Sequence, residues 1–260
     1  AILKVLRYTE QGPELMRVIS GNCFRDSKFL EKNLLSPLVS ITKAYEPEPI
    51  AYRSAEDELL TDSVVLEQLG ILTYPEIFEL CGNIQFCFRD QVGSAAGFRR
   101  GFCLQSENMG NMEHMELPDV KTILLIENRT NYRAVVRQGV SCDTLVVYHG
   151  GFYSPVKRKF FRMLKEGAAR GVKVLFWGDI DLGGFLMFTR LKRDVFPELT
   201  SWKMSIEDYN AYKDYGMPQS PAYLASLRQR IEERQFDEVF FSVAQAIIEN
   251  GVTVEQEIML

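Results

Sequence analysis

Residue types that bind transition metals or form disulfides are scarce in this chain of 260 residues. Its two histidines, His114 and His149, argue against a histidine-rich metal site. The five cysteines show no C-x-x-C pair and no disulfide framework: Cys23, Cys81, Cys87, Cys103 and Cys142. We therefore expect neither a zinc site nor disulfides, and a reducing, cytoplasmic location.

Long hydrophobic runs and an excess of positive charge are also absent. No apolar stretch approaches the roughly 20 residues that span a bilayer, and nothing resembles a signal peptide, so no membrane association is expected. With a net charge of −5, nucleic-acid binding would require Lys and Arg side chains concentrated on one face. The chain begins at Ala1 rather than Met, as a chain that lacks an upstream segment would.

The C-terminal part alternates apolar strands with amphipathic helices. Four strands are predicted, with single helices between them: Ile123–Ile126, Thr144–Tyr148, Lys173–Trp177 and Ser201–Met204. This alternation is typical of right-handed crossovers and a parallel sheet. The sequence therefore predicts an α/β domain with a four-stranded parallel, Rossmann-like sheet flanked by helices over residues 119–260. Further helices are expected from Ser220-Pro221 and over Glu238–Asn250, the second of which would offer an apolar contact face.

Residues 1–118 have a different pattern and predict a smaller α+β domain. Helices are expected near Ser27–Leu35 and Ser63–Leu69, followed by strands near Ile84–Phe88 and Phe98–Leu104 that pair through a turn at Val92–Gly97. Helices followed by a β-hairpin are compatible with a winged-helix-like, DNA-binding module. The polar, Gly- and Pro-containing stretch before residue 119 marks the predicted domain boundary.

Carboxylates follow two of the predicted strands directly. Glu127 follows the first strand, and Asp179 and Asp181 follow the third. Ligands of open parallel sheets bind at the carboxyl ends of the strands, and hard cations prefer oxygen ligands. These acids therefore predict a divalent-cation site for phosphodiester chemistry. The alternative is structural, because Asp at such a position often caps the following helix.

These residues resemble a known domain. Glu127, then Gly150-Gly151, then Asp179-Ile180-Asp181 with Gly183-Gly184 look like a toprim domain. Four segments of the chain are similar to the JetD family and its C-terminal region: Ile126–Tyr132, Phe176–Phe185, Phe24–Glu31 and Val254–Glu257. JetD is the nuclease subunit of the Wadjet plasmid-defence system and is itself similar to the topoisomerase VI A subunit.

The resemblance implies a dimer that cuts double-stranded DNA with Mg²⁺ or Mn²⁺ and acts with an SMC-like motor complex. It implies that Glu127 is the general acid/base and a metal ligand, that Asp179 and Asp181 are metal ligands, and that Glu257 is an outer ligand. Topoisomerase VI relatives cleave with a tyrosine, but Tyr45, Tyr52 and Tyr74 match no such motif here, so hydrolysis by metal-activated water is favoured. The extended N-terminal arm of JetD is absent, as in a truncated or short form.

Candidate DNA contacts lie outside the acidic motifs. Arg99 and Arg100 in the predicted hairpin, and Lys157 and Lys159 on a helix that also carries Arg158, would neutralise phosphates. His149, before Gly150, would touch phosphate at the same sheet edge or serve as a structural histidine. Two other functions stay open: a catalytically silent scaffold that binds DNA or partners, and a D-x-D phosphatase. The phosphatase fits less well, because its D-x-D motif normally follows the first strand.

Overall fold

The computed structural model describes residues 1–45, 65–66, 69–150 and 155–260. The chain forms two compact units, Ala1–Pro75 and Glu76–Leu260. In the described residues, no helix combines the length and the apolar character that a membrane span requires.

The N-terminal unit is mainly helical. It contains α1 (Ile2–Thr9), β1 (Glu14–Leu15), α2 (Met16–Phe24), a π-helical turn (Leu30–Leu34), α3 (Leu35–Tyr45) and β2 (Ile71–Leu72), which pairs in parallel with β1. Its core includes Val5, Ile19, Leu30 and Leu38, all buried. The helix predicted near Ser27–Leu35 corresponds to the π-helical turn and the start of α3. The helix predicted over Ser63–Leu69 lies largely outside the described residues.

The second unit contains a mixed sheet flanked by helices. Its strands are β3 (Ile77–Cys81), β4 (Gln85–Phe88), β5 (Val92–Ser94), β6 (Phe102–Gln105), β7 (Met112–Glu116), β8 (Thr122–Ile126), β9 (Thr144–Tyr148), β10 (Lys173–Trp177), β11 (Thr200–Ser201), β12 (Met217–Pro218) and β13 (Val252–Thr253). The main sheet has the order β11-β10-β8-β9-β3-β6, and β5-β4-β7 form a separate three-stranded sheet. Continuous apolar runs, such as Ile123–Ile126 in β8, are buried because helices cover both faces of a parallel sheet.

The helices of this unit are α4 (Arg129–Gln138), α5 (Pro155–Gly167), α6 (Leu182–Asp194), α7 (Ile206–Tyr212), α8 (Pro221–Glu232) and α9 (Phe241–Asn250). Side-chain caps define several starts: Asn128 accepts from Thr130 N at 2.7 Å, and Ser220 accepts from Tyr223 N at 3.2 Å. The apolar side of α9 is buried in the unit's own core through Val243, Ala244 and Ile247. It is therefore not the exposed contact face that the sequence suggested.

The parallel arrangement of the four predicted strands is confirmed. β8 pairs in parallel with β9 and β10, and β10 pairs in parallel with β11. The sheet is larger than predicted, however, because β3 pairs antiparallel with β9, and β6 pairs antiparallel with β3. These two strands cover the edge of β9, which would otherwise present unpaired backbone groups.

The predicted hairpin between Ile84–Phe88 and Phe98–Leu104 is wrong. β4 pairs with β5 and β7, whereas β6 joins the main sheet, and the predicted turn over Val92–Gly97 contains strand β5. As a result, residues 76–118 belong to the same compact unit as the parallel sheet. The compact units thus divide after Pro75, whereas the sequence placed a functional boundary after residue 118.

Candidate functional site

The carboxyl ends of β8 and β10 lie side by side. Ile126 is the register partner of Trp177, and the backbone N–H of Glu127 donates to Trp177 O at 2.9 Å. The next residues of both strands therefore leave the sheet at the same level. The backbone N–H of Asp179 donates to Glu127 Oε2 at 3.1 Å, which brings the first two predicted acids together.

Two glycines allow this close approach. A Cβ atom on Gly178 would lie 2.6 Å from Glu127 Oε2, and a Cβ atom on Gly184 would lie 2.2 Å from the Asp179 backbone oxygen. Both distances are far below van der Waals contact. Gly178, which follows β10, and Gly184, in the first turn of α6, therefore leave the space that Glu127 Oε2 and the Asp179 backbone oxygen occupy.

Asp181 is the N-cap of α6, and its Oδ1 accepts from Gly184 N at 2.7 Å. This is the capping role that the sequence left as the alternative to metal binding. A capping carboxylate still has further lone pairs to offer, so the cap restrains Asp181 without removing it as a ligand. Metal binding by this residue stays a prediction.

The C-terminal tail holds the site together through Gln256, which is fully buried. Its backbone N–H donates to Asp179 Oδ1 at 2.7 Å, and its side-chain Nε2 donates to Trp177 O at 2.9 Å. Its Oε1 accepts from Asn128 N at 2.9 Å, and its backbone oxygen accepts from Asn131 Nδ2 at 2.7 Å. This one residue thus links the ends of β8 and β10 to the start of α4.

Burial and mutual repulsion raise the pKa values of the acids. Desolvation and the Asp179 charge raise the pKa of Glu127 to about 8. Desolvation is also the main reason why the pKa of Asp179 rises to about 6, although the Gln256 N–H lowers it in part. Desolvation likewise raises the pKa of Asp181. Such a cluster favours either bound protons or a bound cation.

The donor set fits a hard divalent cation, since all three side chains offer oxygen. The ligand oxygens of these three acids are not all within 4.8 Å of one another, however. Among the described residues, the three ligand-type side chains whose ligand atoms all lie within 4.8 Å of one another are Cys87, His114 and Glu116. The acids at the sheet edge are therefore spaced more widely than this group.

The fourth predicted acid, Glu257, is exposed beside the site, and its Oε1 accepts from Asn128 Nδ2. Its charge also helps to raise the pKa of Glu127 and of Asp179. Of the tyrosines considered, Tyr74 is 70% exposed, Tyr45 is the last residue of α3, and Tyr52 lies outside the described residues.

The residues predicted to contact DNA differ in their exposure to solvent. Arg99, Arg100 and Lys159 are exposed, whereas Lys157 is half-buried and burial lowers its pKa. His149 is fully buried, stacks on Phe161 at 5.2 Å between ring centroids, and its Nδ1 lies 2.6 Å from Gly150 O. Its position favours the structural histidine that the sequence left open.

Sequence reasoning missed three arginines next to the site. Arg129, Arg133 and Arg137 recur every four residues along α4, so they share one exposed face. Arg129 and Arg133 both pair with Glu79, a carboxylate that is 2% exposed, and the second pair measures 2.8 Å. The four-residue spacing was visible in the sequence and could have identified this face.

Comparison with known proteins identifies a family for this chain. The family model described as Wadjet protein JetD, C-terminal, matches residues 93–260. The chain is 26% identical over 245 residues to Wadjet protein JetD of Bacillus cereus (strain Q1). That alignment covers 94% of this chain but only 57% of the relative, so the chain spans little more than half of the relative's length. From the family match, the chain belongs to the JetD C-terminal family.

Proposed function

We propose that the chain is a metal-dependent DNA endonuclease of toprim type, acting in a Wadjet-like plasmid-defence system. The observation that carries this proposal is the pairing of Glu127 with Asp179 at adjacent strand ends, where burial and neighbouring carboxylates raise both pKa values. A desolvated cluster of acids at the carboxyl edge of a parallel sheet suits the binding of a cation and of the phosphate it carries.

Each acid has a role in this proposal. Asp179 and Asp181 would hold Mg²⁺ or Mn²⁺ together with Glu127, and Glu257 would act through an outer position. A bound cation supplies polarisation of the phosphate and stabilisation of the attacking and leaving oxygens. Without a cation, burial and neighbouring carboxylates raise the pKa of Glu127 to about 8, and a bound cation would favour its ionised form. Its Oε2 already accepts from Asp179 N, so Oε1 is the atom through which Glu127 would exchange a proton as general acid/base.

The resemblance to the JetD family supports a wider proposal. We propose double-stranded DNA as the substrate, a homodimer as the working form and SMC-like motor subunits as partners. We also propose that the winged-helix-like DNA-binding function lies within residues 1–118, although residues 76–118 share a compact unit with the main sheet and supply β3 and β6 to it, and that residues 119–260 carry the acids of the catalytic toprim domain. The catalytically silent scaffold and the D-x-D phosphatase are the outcomes against which this proposal is tested.

Plasmid cleavage tests the proposal directly. We expect the protein to convert supercoiled plasmid to linear product in Mg²⁺ or Mn²⁺, to lose this activity in EDTA, and to lose it in Asp179→Asn. Manganese binding is measured in parallel by calorimetry. This measurement detects the metal site even if cleavage requires motor partners. A protein that binds DNA but neither cleaves it nor binds Mn²⁺ would be the scaffold, and hydrolysis of a small phosphomonoester would favour the phosphatase.

An exposed arginine face is the DNA path we propose next to these acids. Arg100 Nη1 donates to Arg137 O at 3.0 Å, and Arg133 Nη1 donates to Arg100 O at 3.4 Å. These contacts join the loop before β6 to helix α4. The arginine face consists of Arg99, Arg100, Arg129, Arg133 and Arg137, all exposed. Since Arg129 is two residues from Glu127, the face leads to the proposed site.

Removing charge from this face should weaken DNA binding and its salt dependence. The test variant replaces Arg99, Arg100 and Arg137 with Gln and spares the two arginines that neutralise Glu79. Each lost phosphate contact should reduce the slope of log K against log [salt] by about 0.9. Binding of a short duplex is measured by fluorescence anisotropy at several salt concentrations.

A charge-matched control makes the comparison specific. Arg170, Arg228 and Arg234 are exposed elsewhere in the same unit, and replacing them with Gln removes the same formal charge. The control should retain the wild-type slope. If both triple variants lose the same amount, DNA binding depends on overall charge and the arginine face is not its path.

A further inference from the structure

A second group of ligand-type side chains lies on the three-stranded sheet, away from the acidic edge. Cys87 lies on β4, and His114 and Glu116 lie on β7. Their ligand atoms, the Cys87 thiol sulfur, a His114 ring nitrogen and a Glu116 carboxylate oxygen, all lie within 4.8 Å of one another. The proposed nuclease site uses none of these residues.

Sheet geometry explains how three residues that are distant in sequence come together. Cys87 is the register partner of His114 in the antiparallel pair of β4 and β7. Opposed residues direct their side chains to the same face, and so does the residue two positions further along a strand. Glu116 therefore joins the pair from the same side. The register shifts just after Cys87, between Cys87 and Phe88, and such irregularities often adjust the direction of a functional side chain.

The burial and spacing of the three groups suit a metal. Cys87 is 6% exposed, whereas the His114 and Glu116 side chains are 56% and 54% exposed, so an ion could enter from solvent. His114 Nε2 lies 3.3 Å from Glu116 Oε1. Two ligands that each bind a zinc ion at about 2.0–2.2 Å in tetrahedral geometry lie at a similar separation.

We propose that Cys87, His114 and Glu116 bind one transition-metal dication, with Zn²⁺ as the best fit. Sulfur and imidazole ligands select zinc over magnesium, which prefers oxygen ligands alone. The protein supplies three ligands, and a fourth tetrahedral position remains for water or another group. On binding, the thiol proton of Cys87 is released to solvent and the thiolate becomes the sulfur ligand. The ion would join β4 to β7.

Cobalt is the probe that tests this site, because a thiolate ligand gives Co²⁺ a charge-transfer band in the near ultraviolet. We expect the whole chain to develop this band on titration with Co²⁺, to lose it when Zn²⁺ is added, and to keep it in excess Mg²⁺. Cys87→Ser should abolish the band. His114→Ala should weaken Co²⁺ binding by at least the roughly 10–100-fold that loss of an outer partner costs.

The exposed Cys103 provides the matched control. Cys103→Ser should retain both the band and the affinity for Co²⁺. If Cys87→Ser fails to fold, His114→Ala and Glu116→Gln carry the test, because both side chains are largely exposed. The proposal is overturned if no band forms, if the band survives in Cys87→Ser, or if it disappears in Cys103→Ser. In that case His114 and Glu116 form only a surface ion pair, and Cys87 is a buried thiol next to it.

Plasmid cleavage by Cys87→Ser is expected to persist, which separates this site from the proposed nuclease site.

Discussion

Replacing Glu127 with glutamine is expected to reduce DNA cleavage by roughly 10²–10⁴-fold, the range that a positioned general acid or base contributes. Glutamine keeps the shape of the side chain and can still accept from Asp179 N, but its amide neither gives up nor takes up a proton near neutral pH. It also binds a cation less well, because it has no charge. Initial rates of plasmid cleavage in Mg²⁺ measure the effect.

The same substitution should stabilise the metal-free protein at neutral and alkaline pH. The pKa of Glu127 is raised from 4.5 to about 8 in the native state. Its contribution to the free energy of unfolding is therefore complete below about pH 4.5 and is lost as the pH rises through about 8. Between these values the native state holds a proton that the unfolded chain has released. Stability then falls by about 1.4 kcal/mol per pH unit.

Urea denaturation from pH 5 to pH 9 in EDTA would detect this difference. The stability advantage of Glu127→Gln over the wild type should grow with pH and level off above about 8, and Mg²⁺ should stabilise the wild type more than the variant. Glu255→Gln, which removes an exposed carboxylate from the neighbouring tail, is the matched control and should follow the wild type. A pH-independent difference, or a loss of stability in Glu127→Gln at pH 8, would contradict the raised pKa.

Gly184→Ala is expected to destabilise the fold by about 3 kcal/mol or more, at the upper end of the cost of overpacking. The new Cβ atom would lie 2.2 Å from the Asp179 backbone oxygen, which has no flexible end that could move aside. Relief requires the segment between β10 and α6 to move, and this segment carries Asp179 and Asp181. Denaturation midpoints in urea, with unchanged slopes, measure the cost.

The neighbouring glycine provides the control. A Cβ atom on Gly183 would lie 3.3 Å from Asp181 Oδ1, which is the end of a side chain. Alanine is a better helix former than glycine by about 1 kcal/mol, so Gly183→Ala should be neutral or slightly stabilising. Equal destabilisation by the two substitutions would mean that the steric argument at Gly184 is incorrect.

The sequence predicted the parallel strands more accurately than the antiparallel ones. Lys173–Trp177 and Thr144–Tyr148 were predicted with the bounds that the structure shows. Their continuous apolar character and their flanking turns are local signals. The strand near Phe98–Leu104 was also recognised, but its partner was misassigned. Strand pairing depends on which edge is available in the folded protein, and no local pattern contains that information.

For the candidate site, the sequence by itself determined the positions of Glu127, Asp179 and Asp181, because each lies just beyond a recognisable strand and parallel strands share a carboxyl edge. The tertiary structure alone decided what surrounds them. Gln256 reaches Asn128 across 128 residues of sequence, His149 is enclosed by aromatic rings, and Cys87 lies opposite His114. A local pattern specifies a strand or helix and the residues at its end. The burial and contacts of a side chain depend instead on distant segments, which meet only when the whole unit has folded.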